Sequence, residues 1–189
     1  MLFLMHAVEY ASRANGPGLR AVIWFQGCTL NCPGCFNPNT HLAQIGTEGD
    51  TEKLARELLC RKREIEGVTF SGGEPFQQSD ALLDILQRLA DTTISKLVFS
   101  GYTLREIQAL PLGNTILGHL DVLIAGRYIQ SKHLGRQMLG SSNQKIHLLG
   151  DRYSLSDLQA VPQRELIVKA DGTLIASGIS PWVPCDVSE

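Results

Sequence analysis

Cys28, Cys32 and Cys35 stand within eight residues of one another, and the two remaining cysteines, Cys60 and Cys185, are remote in sequence. Three thiolates are a chelate with one ligand missing. Soft thiolates select zinc, copper(I) or iron–sulfur clusters, and a structural zinc or an ordinary four-iron cluster takes four protein ligands. A three-thiolate site therefore leaves one metal position for a substrate or cofactor. The other reading of these residues is a structural zinc knuckle completed by Cys60, Cys185 or His41. Zinc sites usually draw on two ligand pairs well separated in sequence, and only one such group is present.

A second group with chemical content is Ser71-Gly-Gly-Glu-Pro75. Gly72 and Gly73 allow close backbone approach, and Glu74 places a carboxylate where an amino group can be held. By itself the segment also reads as a plain strand-to-helix connection. Further polar segments are Asn15-Gly-Pro-Gly-Leu-Arg20, Ser100-Gly-Tyr-Thr103, Asp121 and Arg127, and Gly140-Ser-Ser-Asn-Gln144. Each suits either ligand contacts or an ordinary turn or cap.

These segments need elements to hold them, and the apolar pattern supplies a regular alternation. Ala21–Phe25 reads as a strand leading into the cysteine loop, followed by a helix capped at Asp50 or Thr51 and running to Arg63, with Leu54, Leu58 and Leu59 on one face. Val68–Phe70 is a strand before Glu74, and Ser79 or Asp80 opens a helix carrying Leu82, Leu83, Leu86 and Leu89. Strands follow at Lys96–Phe99, Val122–Ile124, Lys145–Leu149 and Glu165–Ala170, with short helices from Thr103 and Ser154. Asp171-Gly172 reads as a hairpin turn into Thr173–Ala176, and the Gly- and Ser-rich stretch from Gly135 to Asn143 as a mobile loop. The apolar start, Met1–Met5, reads as a buried edge strand, because His6 and Glu9 interrupt it and no basic residue precedes it. Strands alternating with helices predict an α/β fold with parallel strands, either an open doubly wound sheet or a barrel.

Taken together, the C-x3-C-x2-C spacing and the Gly-Gly-Glu-Pro segment resemble the radical S-adenosylmethionine (radical SAM) superfamily. Within it the chain is most similar to the small activating proteins of anaerobic ribonucleotide reductase, through Asn15–Arg20, Cys32-Pro-Gly-Cys-Phe-Asn37, Ser100–Thr103, Asp121–Ile124 and Gly140–Gln144. The resemblance implies a single domain over 1–189 with a partial (β/α)6 barrel. It implies a [4Fe-4S] cluster on Cys28, Cys32 and Cys35, whose open iron binds S-adenosylmethionine (SAM), and cofactor contacts from Gly72, Gly73, Glu74, Ser100, Tyr102 and Arg127. It also implies reductive cleavage of SAM to a 5′-deoxyadenosyl radical that takes a hydrogen atom from a glycine of the reductase, with flavodoxin or ferredoxin as electron donor. Two positions depart from the family pattern: Ala125 stands where an acidic residue is expected, and Leu139 where an arginine is expected.

Composition narrows the classes. At 189 residues, 43% hydrophobic and 19% charged, with a net charge of −2, the chain reads as one globular domain without a basic field for nucleic acid or anionic lipid. No apolar run approaches the ~20 residues that cross a bilayer, and an odd cysteine number fits a reducing, cytoplasmic setting. Phosphate-loop, serine-hydrolase and dinucleotide fingerprints are absent from the sequence. The rival functions are a compact radical SAM enzyme acting on a small molecule (as in deazapurine synthesis) or a peptide, and a zinc-stabilised binding module.

Overall fold

Short runs of β-branched and aromatic residues form the centre of one sheet, and the chain builds outward from them. The computed structural model describes residues 1–179. In chain order the elements are β1 (Leu2–Ser12), β2 (Arg20–Phe25), β3 (Thr47–Asp50), α1 (Thr51–Cys60), β4 (Gly67–Gly72), α2 (Ser79–Arg88), β5 (Ser95–Ser100), α3 (Leu104–Gln108), α4 (Gly113–Leu117), β6 (Val122–Ala125), β7 (His133–Arg136), β8 (Leu139–Ser141), β9 (Lys145–Leu148), α5 (Leu155–Gln159), β10 (Arg164–Val168) and β11 (Leu174–Gly178). The main sheet has seven strands in the order β3-β1-β2-β4-β5-β6-β9. Strands β2, β4, β5 and β6 are parallel, whereas β1, β3 and β9 join through antiparallel pairings.

The α/β expectation holds, and the six-unit partial barrel does not appear: the sheet is open. After β6 the chain lacks a helix-length apolar segment to cross back, and residues 133–141 fold instead as the β7–β8 hairpin. The next strand, β9, therefore returns antiparallel to β6. That hairpin also replaces the mobile loop expected there; its turn uses positive φ at Gln137 (56°) and Met138 (64°), residues that carry no glycine signal. The N-terminal strand is not at the edge, since β3 pairs outside it. Helix α1 ends at Cys60 rather than Arg63.

Alternation along the parallel strands assigns their two faces. Ala21, Ile23, Phe25, Val68, Phe70 and Val98 point toward Leu54 and Leu58 of α1 and Leu82, Ile85 and Leu86 of α2, forming the main core. Each of the Val, Leu, Ile and Phe side chains contributes about 1.5–3 kcal/mol on burial. On the opposite face Leu97, Val122 and Ile124 pack under Met138, Leu158 and Val161, so the C-terminal third of the chain covers the β5–β6 side. The β10–β11 hairpin forms a separate two-stranded sheet. It is pinned to the end of β1 by Glu165, which accepts from Ser12 Oγ and from the Arg13 amide (2.7 Å), and by Lys169, 2.9 Å from the buried Glu9 carboxylate. The turn expected at Asp171-Gly172 joins its strands.

At the amino edge of the parallel strands Arg20 is fully buried. Its guanidinium donates to Thr69 Oγ1 (2.8 Å), Ser95 Oγ (2.8 Å), Val68 O (2.8 Å), Ser95 O (3.2 Å) and Pro17 O (3.1 Å). Gly67, its register partner, leaves room for it: a β carbon there would lie 2.2 Å from Arg20 Nη1. Arg20 thus ties three strands together far from the cysteine loop. Arg20→Met strands several buried acceptors, at about 1–3 kcal/mol each. The expected result is a loss of about 3 kcal/mol or more in urea unfolding, and a midpoint equal to that of the unmodified chain would refute this role.

Candidate functional site

The three cysteines lie on the loop after β2, and the loop is fastened at both ends. The Gly27 amide donates to Thr40 O (2.7 Å) and the Cys28 amide to His41 O (3.0 Å). Inside it, the Cys35 amide donates to Cys32 O (3.1 Å) across Pro33-Gly34, with Gly34 at φ 72° and Asn31 at φ 46°. The turn aims all three thiols at one cavity of about 550 Å³. The Asn37 amide lies 3.4 Å from Cys35 Sγ and donates to it, a contact that favours thiolate. Burial pushes the thiols of Cys28 and Cys35 up, opposed by the backbone N–H groups of Leu30 and Asn37. Ligation must therefore displace protons from partly desolvated thiols.

Among the described residues no three His, Cys, Asp or Glu side chains converge closely enough to chelate a single ion. Three thiols spread around one cavity suit a polynuclear centre better than a lone zinc. Cys60 is exposed at the end of α1, away from this cavity, whereas His41 lines it. Cys185 lies outside the described residues.

The Gly-Gly-Glu turn at the end of β4 is built against the cysteine loop itself. The Gly73 amide donates to Phe25 O (2.8 Å) and the Glu74 amide to Gly27 O (3.0 Å). A β carbon on Gly73 would sit 2.2 Å from Gly27 O, and one on Gly72, at φ 96°, would sit 2.5 Å from Phe25 O. The sequence suggests that these glycines admit a cofactor; in the structure they first admit another stretch of backbone. Both glycines also line the cavity.

Glu74 is 1% exposed and lines the same cavity. Its Oε1 accepts from the Phe76 amide (3.1 Å) and Ser100 Oγ (2.8 Å), and its Oε2 from the Gly101 amide (2.7 Å). Burial pushes its pKa up to about 7 against those three donors and the more distant Arg127. A carboxylate offers about four lone-pair positions, so Oε2 retains one for an incoming N–H.

The other expected contacts divide. Ser100 lines the cavity and joins Glu74 to β5. Tyr102 and Arg127 do not line it. The Tyr102 hydroxyl accepts from Gln77 Nε2 (3.1 Å), and Arg127 Nη1 lies 2.9 Å from both carboxylate oxygens of Glu106. The Arg127 guanidinium and the Thr103 donors pull the Glu106 pKa down to about 2. Asp121 accepts from the Lys96 amide at the far edge of the sheet (2.7 Å), and Ala125 is buried in the main core. In the Gly140–Gln144 segment, Gln144 Oε1 accepts from the Gly140 and Ser141 amides, its Nε2 donates to Gly126 O, and Asn143 donates to Arg127 O. That segment staples the loop after β6, and Leu139 packs beside it on the smaller core. Asn15 reaches the cavity, donating to Ser12 Oγ and Ser177 Oγ.

Sequence reading missed three features. Gln77 links Thr29 of the cysteine loop to Tyr102. Phe36 and Tyr128, both at the cavity wall, meet at a tilt of 47° with ring centres 4.7 Å apart, and His133 lies edge-on to Phe36 behind them. The strand β11 lines the cavity through Ile175–Ile179. Only Phe36 carried a sequence signal, by following Cys35.

Comparison with known proteins places this arrangement. Residues 14–147, which hold every cavity-lining segment except His6, Ala7 and β11, match the family described as a 4Fe-4S single cluster domain. The chain is 32% identical over 141 residues to the anaerobic ribonucleoside-triphosphate reductase-activating protein of Vibrio cholerae, covering 70% of this chain and 90% of that one. It belongs to that family of activating proteins. The Escherichia coli (strain K12) member is 30% identical over 143 residues, covering 71% of this chain and 92% of its own. The pyruvate formate-lyase-activating enzyme of Clostridium pasteurianum is 36% identical over 126 residues, with 64% of this chain matched to 50% of that one. The residues present fit the cluster that the family description names: three thiols on one cavity, a backbone N–H on one sulfur, and no fourth thiol among the described lining residues.

The contact between Gly73 and Gly27 yields a prediction distinct from one based on cofactor approach. Gly73→Ala forces the cysteine loop off its seat, so the expected outcome is less iron and sulfide retained after anaerobic reconstitution, together with a lower melting temperature. Full iron content in a stably folded Gly73→Ala protein would show that the loop does not depend on this contact.

Proposed function

We propose that this chain activates an anaerobic ribonucleoside-triphosphate reductase by removing a hydrogen atom from one of its glycines. The observation that carries the reading is the convergence of three thiols, the Gly-Gly-Glu turn and Ser100 on one cavity at the carboxyl ends of β2, β4 and β5. In this reading Cys28, Cys32 and Cys35 each hold one iron of a [4Fe-4S] cluster, and the four parallel strands are a shortened radical SAM core within a single domain over 1–189. When bound, the cluster and SAM supply the one-electron chemistry that splits SAM into methionine and the fragment that leaves, with the glycine hydrogen, as 5′-deoxyadenosine. A flavodoxin or ferredoxin supplies the electron, and the setting is the cytoplasm. Among the described residues no helix is long and apolar enough to cross a membrane.

The protein's own residues position and shield. Gly73 seats the cysteine loop, and the free acceptor position of Glu74 receives an N–H of the SAM amino group. Cavity walls of Trp24, Phe99 and Phe36 keep water from the reacting atoms. Tyr102 and Arg127 act at one remove, through Gln77 and Glu106, by fixing the loops around the site.

Replacing Cys28, Cys32 or Cys35 with Ala should abolish the brown cluster and SAM cleavage, whereas Cys60→Ala keeps both. Retained cleavage in Cys32→Ala would overturn the ligand assignment. With wild-type protein, reducing agent, SAM and the reductase from the same genome, electron paramagnetic resonance should show a glycyl radical on the reductase. Its absence, with deuterium passing to 5′-deoxyadenosine from a free small molecule, would favour the small-molecule enzyme instead.

The raised pKa of Glu74 sets a pH dependence in two readouts. Only the ionised carboxylate presents its full acceptor strength, so SAM affinity should rise by about tenfold between pH 6 and pH 8 around a pKa of about 7. Stability moves oppositely: relative to an unfolded carboxyl at 4.5, the stabilising contribution is complete below that value and is lost as pH rises through about 7. Isothermal titration at the two pH values, repeated with Glu74→Gln, checks the first; a pH-independent affinity in the unmodified chain would remove Glu74 from the SAM site.

A further inference from the structure

Five consecutive residues of the β11 segment, Ile175–Ile179, line the cavity that holds the cysteines, and no residue of β10 does. A strand facing a cavity with one pleated face would contribute alternate residues and would bring its neighbour's residues with it. Consecutive residues from one strand mean that β11 turns its free edge to the cavity. The register fixes which backbone groups lie on that edge. The Ile179 amide donates to Gln163 O (3.0 Å) and the Lys169 amide to Thr173 O (2.9 Å), so the pairs Glu165–Ser177 and Ile167–Ile175 between them exchange the ladder bonds. The pair Leu166–Ala176 falls between bonded pairs, and the N–H and C=O of Ala176 point away from β10. Among the described residues neither group has a hydrogen-bond partner.

The side chains around this edge are neutral. Of the described cavity-lining residues, only Glu74, His6 and His41 can carry charge apart from the thiols and Tyr128, and Glu74 is already held by three donors. Asn15, a neutral lining residue, meets this strand directly by donating to Ser177 Oγ (2.6 Å). A glycine offers no side chain to grip, so a protein that acts on one must hold the main chain on either side of it. An unpaired strand edge does this by strand addition, with pockets for alternate neighbouring side chains. Polar contacts hold the hairpin firmly in place, since Ser177 Oγ accepts from Asn15, and Glu165 and Lys169 pin β10 and its turn to β1.

We propose that the free edge of β11 is the docking strand for the glycine-bearing segment of the partner enzyme, which adds to it as an extended third strand and is thereby held beside the cysteines. This rests on the activase reading and names the part of the chain that recognises the substrate.

Ala176→Pro tests it, because proline removes an outward amide while leaving every bond to β10 in place, and edge strands accept it. The comparison uses reconstituted protein with the reductase from the same genome, and Ala176→Ser as the variant that keeps the amide. Ala176→Pro should keep its iron and its slow SAM cleavage without reductase, and should need roughly tenfold more reductase, or higher, for half-maximal glycyl radical formation; Ala176→Ser should match the unmodified chain. Hydrogen–deuterium exchange on the unmodified chain gives a measurement independent of any folding defect: the Ala176 amide should slow by roughly tenfold or more when reductase is added. Equal reductase dependence in Ala176→Pro, or no added protection at Ala176 in a radical-forming mixture, would overturn strand addition and leave the activase reading standing. Absence of any radical with the unmodified chain would overturn both.

Discussion

The backbone crossing of Gly27 and Gly73 is the constraint on which the site depends. A β carbon on Gly73 has no room at 2.2 Å from a carbonyl oxygen, and that same carbonyl accepts the Glu74 amide. Two loops from adjacent parallel strands are thereby fixed in register by main chain alone. The strand pairing of Phe25 with Gly72 brings the loops together, and the missing side chains let them touch. Everything chemical in the cavity follows from that seat: the direction of the thiols, the burial of Glu74, and the hold that Gln77 takes on Thr29.

Electrostatics reinforce the same division. The ion pair of Arg127 with Glu106 lies outside the cavity lining, and among the described lining residues Glu74 is the carboxylate, brought by burial close to half-neutral at physiological pH. At the other edge of the strands a buried guanidinium is satisfied by hydroxyl and carbonyl oxygens, with no carboxylate among the described residues bonded to it. A carboxyl brought close to half-neutral and a guanidinium held by neutral oxygens thus stand at opposite ends of the parallel strands.

Much of this was legible in the residues. The strands at Ala21–Phe25, Val68–Phe70 and Val122–Ile124 announced themselves by unbroken apolar runs, and the caps at Asp50, Thr103 and Ser154 by short polar side chains that accept from the third residue of their helices. The cysteine spacing and the Gly-Gly-Glu segment pointed at one another because both follow parallel strands. What stayed hidden was long-range or unmarked. No local pattern says that residues 133–141 form a hairpin, since Gln137 and Met138 adopt positive φ under tertiary pressure and Met138 is buried for its packing. Nor could spacing reveal that Arg127 is taken by Glu106, or that Gly73 makes room for another loop before any cofactor.

The residues matched by the family description end at 147, and the β10–β11 hairpin begins at Arg164. Part of the wall of the reaction chamber is thus made from a segment outside the shared core, attached to it through a few polar pins. Such a construction separates two kinds of evolutionary change. Substitutions in the core must preserve two loops in backbone contact, while the hairpin is joined to it by side-chain contacts at Ser12, Arg13, Asn15 and Glu9 and tolerates change between those pins. One wall of the cavity can therefore change in sequence while the cysteine loop and the Gly-Gly-Glu turn stay seated on each other.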